Sequence, residues 1–227
     1  ELTGSFKAPM GWRAFLQGWK DENGKEDNSG RMNLGVVTVN LPRIALKANG
    51  DKDLFWQIFD EEMQVAKSAL VFKVKRVLDA SPENAPILYQ FGAFGKRLKP
   101  DGNVDELFKN GRATVSLGYI GLYEVGTSFY GPDWENNQEA HDFTLQIVKE
   151  LNLRCKAWSK EYNYHFSVYS TPSESLTDRF CKLDTERFGK VKDITDKEYY
   201  TNSFHYDVRK HPSPFEKLTF EMDYPKY

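Results

Sequence analysis

Gly35-Val36-Val37-Thr38-Val39-Asn40-Leu41 is a β-branched run bounded by turn residues, and Asp53 to Asp79, just beyond it, repeats apolar residues at helical spacing. The first run does not alternate cleanly, as expected of a strand buried on both faces, and Pro42 closes it. The second presents a wide apolar face from Leu54 to Leu78 and predicts a long, well-buried helix with Asp53 as N-cap.

The same alternation recurs downstream. Ala113 to Glu124 reads as a strand with two internal glycines, Gly118 and Gly121, which permit a bend, a bulge or close approach by a neighbour. Asn136 to Tyr162 predicts a second long helix, with Ala140, Phe143, Ile147, Val148, Leu151 and Cys155 facing inward. Tyr164 to Ser170 alternates as a strand and leads through Thr171-Pro172 into a helix starting near Ser173. Strands alternating with long helices indicate an α/β fold with crossover connections. Strands 35–41, 113–123 and 164–170 are therefore expected in one sheet, flanked by helices 53–79 and 136–162. Two further pieces read as extended, Ile87 to Phe91 as a short strand or extended piece and Leu218 to Met222 as a strand. Lys20 to Arg31, with Asn23-Gly24 and Ser29-Gly30, is a polar, turn-rich connector.

Composition narrows the function classes. The 227 residues are 40% hydrophobic and 28% charged, which suits a packed globular core, one domain or a compact part of a larger one. Net charge is −2 with both signs interspersed, so no basic stripe exists to neutralise a phosphate backbone, and nucleic acid is excluded as a partner. No run approaches the roughly 18 apolar residues of a membrane span, and Glu1 to Met10 lacks the pattern of a signal peptide. Cys155 and Cys181 do not make a disulfide framework, so a reducing cytoplasm is the expected location. A start without Met is expected of a chain that begins inside a longer polypeptide.

Chemistry is concentrated in three stretches. Tyr169-Ser170-Thr171-Pro172-Ser173-Glu174-Ser175 carries hydroxyls into a helix start, where unpaired amides make an anion cradle. The competing explanation is capping, with Ser170 or Thr171 as N-cap and Glu174 completing a capping box. Ala8-Pro9-Met10-Gly11-Trp12-Arg13-Ala14-Phe15 is too apolar and aromatic to lie in water without cost, so it is expected to insert into a cavity or an interface. Tyr199 to His205 is polar and aromatic without a period, and His205 reads as a surface or hydrogen-bonded core histidine, since no histidine has a Cys or His at metal spacing. There is no Walker A loop, GxGxxG, GxSxG or HExxH motif, and no metal site is legible.

Taken in order, Met10-Gly11-Trp12-Arg13, Gly30 to Ala45, Ser116 to Glu124, Ser170 to Cys181 and Tyr199 to His205 resemble the anaerobic, class III ribonucleoside triphosphate reductases along nearly the whole chain. The resemblance implies half of a ten-stranded α/β barrel of the glycyl radical enzyme type, with residues 1–31 as finger loop and connector, Phe6 to Trp19 forming the loop itself, and 32–227 as the second half-barrel. Its implied activity is reduction of ribonucleoside triphosphates by glycyl and thiyl radical chemistry with formate as reductant. Asn33 takes the place of the asparagine that polarises the ribose hydroxyls, although a turn-capping Asn before a strand has the same appearance. Thr171, Ser173, Glu174 and Ser175 fall on the substrate side.

Trp12 stands where the family carries its radical cysteine, and Ala14 where a serine is usual; an indole cannot form a thiyl radical. Cys155 and Cys181 match neither catalytic position. The second active-site cysteine, the zinc site and the radical glycine are implied outside this chain, so no cofactor is expected within it. The full-length family further implies ATP or deoxynucleotide effectors, an activating enzyme with an iron-sulfur cluster and S-adenosylmethionine, and a homodimer. The expectations are thus a piece of an active reductase altered at position 12, a non-catalytic nucleotide-binding relative, or a structural half-barrel. An isolated half-barrel is expected to self-associate through its open sheet edges.

Overall fold

The structure is a computed structural model that describes residues 18–27, 30–173 and 175–227. Trp12, Ala14 and the loop reading of Phe6 to Gln17 lie outside the described residues, as does Glu174. Three strands, β1 (Asn33–Asn40), β2 (Thr114–Ile120) and β3 (His165–Ser170), form one parallel sheet in the order β1-β2-β3. Every residue of β2 is buried, whereas β1 and β3 are mostly half-buried, as befits a central strand between two edges. The helices are α1 (Leu41–Ala48), α2 (Lys52–Leu78), α3 (Pro86–Tyr89), α4 (Leu122–Tyr130), α5 (Gln138–Tyr162), α6 (Ser175–Phe188) and α7 (Pro214–Glu221). Among the described residues, no helix is long and apolar enough to cross a membrane.

The expected sheet and its two long helices are present, and the departures have local causes. Pro42 does not simply end a strand: Asn40 accepts a hydrogen bond from Arg43 N, Pro42 fits the first helical turn, and α1 begins at once. Ala113 to Glu124 is not one strand, because Gly121 turns at φ 80° from β2 into α4. A Cβ there would lie 2.2 Å from Pro42 Cγ, so both the bend and the close approach require glycine. Of Ile87 to Phe91, the first three residues are helical in α3, started by Pro86, and Gln90 caps it. Leu218 to Met222 belongs to the end of α7, where Ser213 and Glu216 form a capping box ahead of Pro214; that start signal overrides a short alternation. The cap of α2 is Asp51, whose Oδ1 accepts from Leu54 N at 3.0 Å, in place of Asp53. Its buried stripe is Phe55, Phe59, Met63, Ala66, Leu70 and Val74, while Val65 and Phe72 are exposed, so the apolar face is narrower than expected.

The described residues divide into two compact units, one drawn from 18–37, 67–116 and 154–167, the other from 38–66, 117–153 and 168–227. In the first, Leu70, Val74, Leu107, Phe108, Val115, Trp158 and Phe166 form the core, and Ser159 Oγ receives Phe166 N at 2.9 Å, fastening β3 to α5. Trp19 Nε1 donates to Asn110 O at 2.8 Å, and the connector after it is a tight turn closed on Asp21 Oδ1 by Asn23 N and Lys25 N. In the second, Leu41, Ile44, Phe55, Phe59, Leu117, Val125, Ile147 and Leu151 are buried, and a cluster of Ile120, Cys181, Ile194 and Tyr200 packs under α6.

Candidate functional site

Asn33 belongs to the first unit and Thr171, Ser173 and Ser175 to the second. At the start of β1 the Asn33 amide is held at both ends. Its Oδ1 accepts from Gly35 N at 2.9 Å and its Nδ2 donates to Ser116 Oγ on β2 at 2.6 Å. The first bond is the local turn an asparagine makes before a strand, and the second fixes which way the amide faces. One N–H and one carbonyl lone pair then remain to polarise a bound hydroxyl, without a charge that would itself need neutralising.

Two strand neighbours of Asn33 carry polar groups as well. Thr114 N donates to Met32 O at 3.0 Å and His165 N to Ala113 O at 3.1 Å. In a parallel ladder those bonds set Asn33, Thr114 and His165 abreast with their side chains on one face. Burial pushes the His165 imidazole pKa down, and the nearby Arg31 guanidinium lowers it further. Arg31 itself is half-buried, with Nε donating to Arg112 O at 3.1 Å.

In the second unit the strand-to-helix turn after β3 is more fully engaged with its own chain than its sequence suggests. Thr171 is buried and its hydroxyl lies 3.2 Å from that of Thr38. Ser173, not Ser170 or Thr171, caps α6: its Oγ accepts from Leu176 N at 3.0 Å. Its own N–H donates to Asn202 Oδ1 at 2.9 Å. Ser175, the first residue of α6, is exposed. Asn202 is the residue sequence reading missed, although its stretch stood out. Its backbone bridges Ile120, and the flanking Thr201 and Ser203 carbonyls receive Gly121 N and Leu122 N at 2.9 and 3.1 Å. His205 is partly exposed with Nδ1 3.1 Å from Glu221 Oε1, the hydrogen-bonded histidine expected.

Neither cysteine is poised for chemistry. Burial raises Cys155 to about 12 and Cys181 to about 11, which keeps both thiols protonated. Among the described residues there is no group of three or more His, Cys, Asp or Glu side chains that could hold a metal ion.

Residues 2–227 match the family model "Anaerobic ribonucleoside-triphosphate reductase". The chain is 50% identical over 226 residues to the anaerobic ribonucleoside-triphosphate reductase of Salmonella typhimurium, covering 99% of this chain and 32% of that protein. It is 47% identical over 229 residues to the enzyme of that name from Enterobacteria phage T4, covering 98% and 36%. The chain thus spans about a third of the length of the curated relatives it matches. Among solved structures it is similar to the anaerobic ribonucleotide reductase of Thermotoga maritima with dATP bound in the specificity site, at TM-score 0.67 and 22% identity over 93% of this chain and 34% of that one. The complex of that enzyme with dATP and CTP gives TM-score 0.66 and 20% identity over 93% and 33%. That likeness is one of fold, and it agrees with the α/β elements being part of a barrel.

Proposed function

Since the chain belongs to the anaerobic ribonucleoside-triphosphate reductase family, we propose that it is the substrate-facing part of such an enzyme, one that reduces ribonucleoside triphosphates to 2'-deoxyribonucleoside triphosphates by glycyl and thiyl radical chemistry with formate as reductant. The observation that carries this reading is the Asn33 amide, locked by Gly35 N and Ser116 Oγ at the position that the family resemblance gives to a substrate-polarising asparagine. Held in place before substrate arrives, it supports charge shifts at the ribose hydroxyls without reorganising. Thr171, Ser173, Glu174 and Ser175 are proposed to contribute to the triphosphate side, with the first turn of α6 supplying the favourable end of a helix dipole. In this proposal the radical glycine and the zinc site lie in the longer polypeptide, which also binds the effectors, forms the homodimer and is served by a separate activating enzyme.

Trp12 favours a second reading, a nucleotide-binding relative that does no chemistry, because no thiol stands at the hydrogen-abstracting position. Under either reading this chain forms no deoxyribonucleotide in an anaerobic assay supplied with activating enzyme and formate; product would refute the role given to Trp12. The direct test of nucleotide binding is calorimetric titration with CTP of the unaltered chain and of the Ser173→Asp, Ser175→Asp double variant. Aspartate at 173 still caps the helix, so weaker binding by the variant reports repulsion of phosphate. Equal binding by both would return these serines to capping alone.

A further inference from the structure

Among the described residues, three buried side-chain polar atoms have no hydrogen-bond partner: Thr114 Oγ1, His165 Nε2 and Glu124 Oε2. Native chains leave few such groups, because a polar atom taken from water without a replacement partner is destabilising. The Glu124 case is local. Its other oxygen accepts from Thr201 N at 2.9 Å, from Thr201 Oγ1 at 2.7 Å and from the Lys197 ammonium, which neutralises the carboxylate through one atom. The remaining two atoms belong together. Thr114 and His165 are adjacent in one cross-strand row, and the third member of that row is Asn33.

We propose that Thr114 and His165 are substrate-positioning residues which, with Asn33, form a row of hydrogen-bonding groups across β1, β2 and β3 for the vicinal hydroxyls of a ribonucleotide. The proposal rests on the reading of Asn33 given above and extends it to two residues that neither sequence pattern nor family resemblance singled out. The chemistry of the row fits hydroxyls better than an anion. Thr114 offers one donor and two acceptor positions, and the Asn33 amide retains one N–H and one lone pair. A neutral imidazole, favoured by the burial and the Arg31 charge acting on His165, adds either a donor or an acceptor at Nε2. A hydroxyl both donates and accepts, so neighbouring hydroxyls can satisfy all three side chains at once. A carboxylate or phosphate only accepts, so it can take the donors of the row but leaves the remaining Asn33 and Thr114 lone pairs without a donor.

The test uses the chain as it stands, with Thr114→Val, which keeps the side-chain shape and removes the hydroxyl, and His165→Phe, which keeps the ring and removes both nitrogens. Each is titrated with CTP and with 2',3'-dideoxy-CTP, and its Tm is measured without ligand. The expected result is that Thr114→Val keeps or slightly raises Tm, since it removes an unsatisfied buried group. Both variants should bind CTP about fivefold to tenfold more weakly, as for one lost hydrogen bond, and bind the dideoxy analogue as the unaltered chain does. A Tm that falls by several degrees in Thr114→Val would show that the hydroxyl already has a structural partner and would overturn the proposal. CTP binding unchanged in both variants would overturn it too, and would leave the reductase reading intact. If the unaltered chain binds no CTP at millimolar concentration, the nucleotide reading of this chain fails separately. The row is then judged by the His165 imidazole NMR signals under titration with ribose: a saturable shift, lost in Thr114→Val, supports it, and no shift ends it.

Discussion

In the second unit Lys197, almost wholly buried, sits among Glu124, Thr201 and Asp207, with Asp207 Oδ2 at 2.9 Å and Thr201 Oγ1 at 3.2 Å. Nearby, Asp184 receives Arg43 Nε at 2.6 Å, Asn40 Nδ2 at 2.7 Å and Tyr200 OH at 2.9 Å. In the first unit, by contrast, the strand row of Asn33, Thr114 and His165 leaves two buried polar atoms without partners. The charged cluster is wholly buried and almost fully paired, whereas the row, with Thr114 buried and Asn33 and His165 half-buried, is not. A cluster whose groups answer one another fixes how α1, α4, α6 and the segment after it meet, and Glu124 Oε2, on a carboxylate already neutralised by Lys197, is its one buried side-chain oxygen left without a partner among the described residues. A row left short of partners holds its capacity in reserve at some cost in stability, which is the usual sign of a surface shaped for something else.

The strongest way to break this contrast is Lys197→Met. Burial alone would discharge Lys197, yet the Glu124 and Asp207 carboxylates hold its pKa above the ordinary lysine value, so the ion is part of the fold. Its removal strands two carboxylates in the interior, and a loss of about 3–5 kcal/mol is expected, measured by urea unfolding. Adding Glu124→Gln and Asp207→Asn should recover part of that loss. A stability change below about 1 kcal/mol in Lys197→Met would mean that the ion pairs do not hold this region together.

Acid should undo the same region next. Burial would by itself raise Asp207, but the Arg209 side-chain bond and the Lys197 charge bring it down from 3.8 to about 2. Burial would likewise raise Glu221, and the bonds from His205, Lys217 and Tyr206 N–H bring it from 4.5 to about 2. A carboxylate depressed in the folded state contributes stability that is complete above its unfolded value and lost as pH falls through the folded one. Between about pH 4.5 and pH 2 the chain should therefore lose stability steeply, with Asp207 alone accounting for about 2 kcal/mol. Unfolding free energies at intervals across that window would show it, and a flat profile there would contradict the pairing.

How far the sequence revealed these features follows the range of the signal. α2, α5 and β3 were legible because burial writes a period into consecutive residues, and β1 because its β-branched run is bounded by turn residues. The helices α1, α3, α4 and α7 were missed or misread because their starts depend on single residues: Asn40 with Pro42, Pro86, Gly121, and Ser213 with Glu216. Asn33 and the Ser173 turn stood out by resemblance and by hydroxyl content. Their partners did not, since Ser116, Asn202 and Thr38 meet them only through the fold, and no local pattern announces a contact between distant segments. The row of Asn33, Thr114 and His165 became visible once the strand register was known.

The smallest expected effect tests the contrast most closely, because it compares one hydroxyl with another. Ser173 Oγ accepts from Leu176 N at the start of α6, so Ser173→Ala leaves that helix amide without its cap. The expected cost is about 1 kcal/mol. Ser173→Asp should restore most of it, since a carboxylate accepts the same bond and also interacts favourably with the helix N-terminus. Ser175, exposed at the first position of α6, should change stability by less than about 0.5 kcal/mol when replaced by alanine. Urea unfolding of the three variants beside Thr114→Val gives the comparison directly. A hydroxyl that has a partner must cost stability when it is removed, and one held for a ligand must not. If Ser173→Ala and Thr114→Val lower stability equally, both hydroxyls are structural, and the distinction between a saturated scaffold and an unsaturated binding row fails.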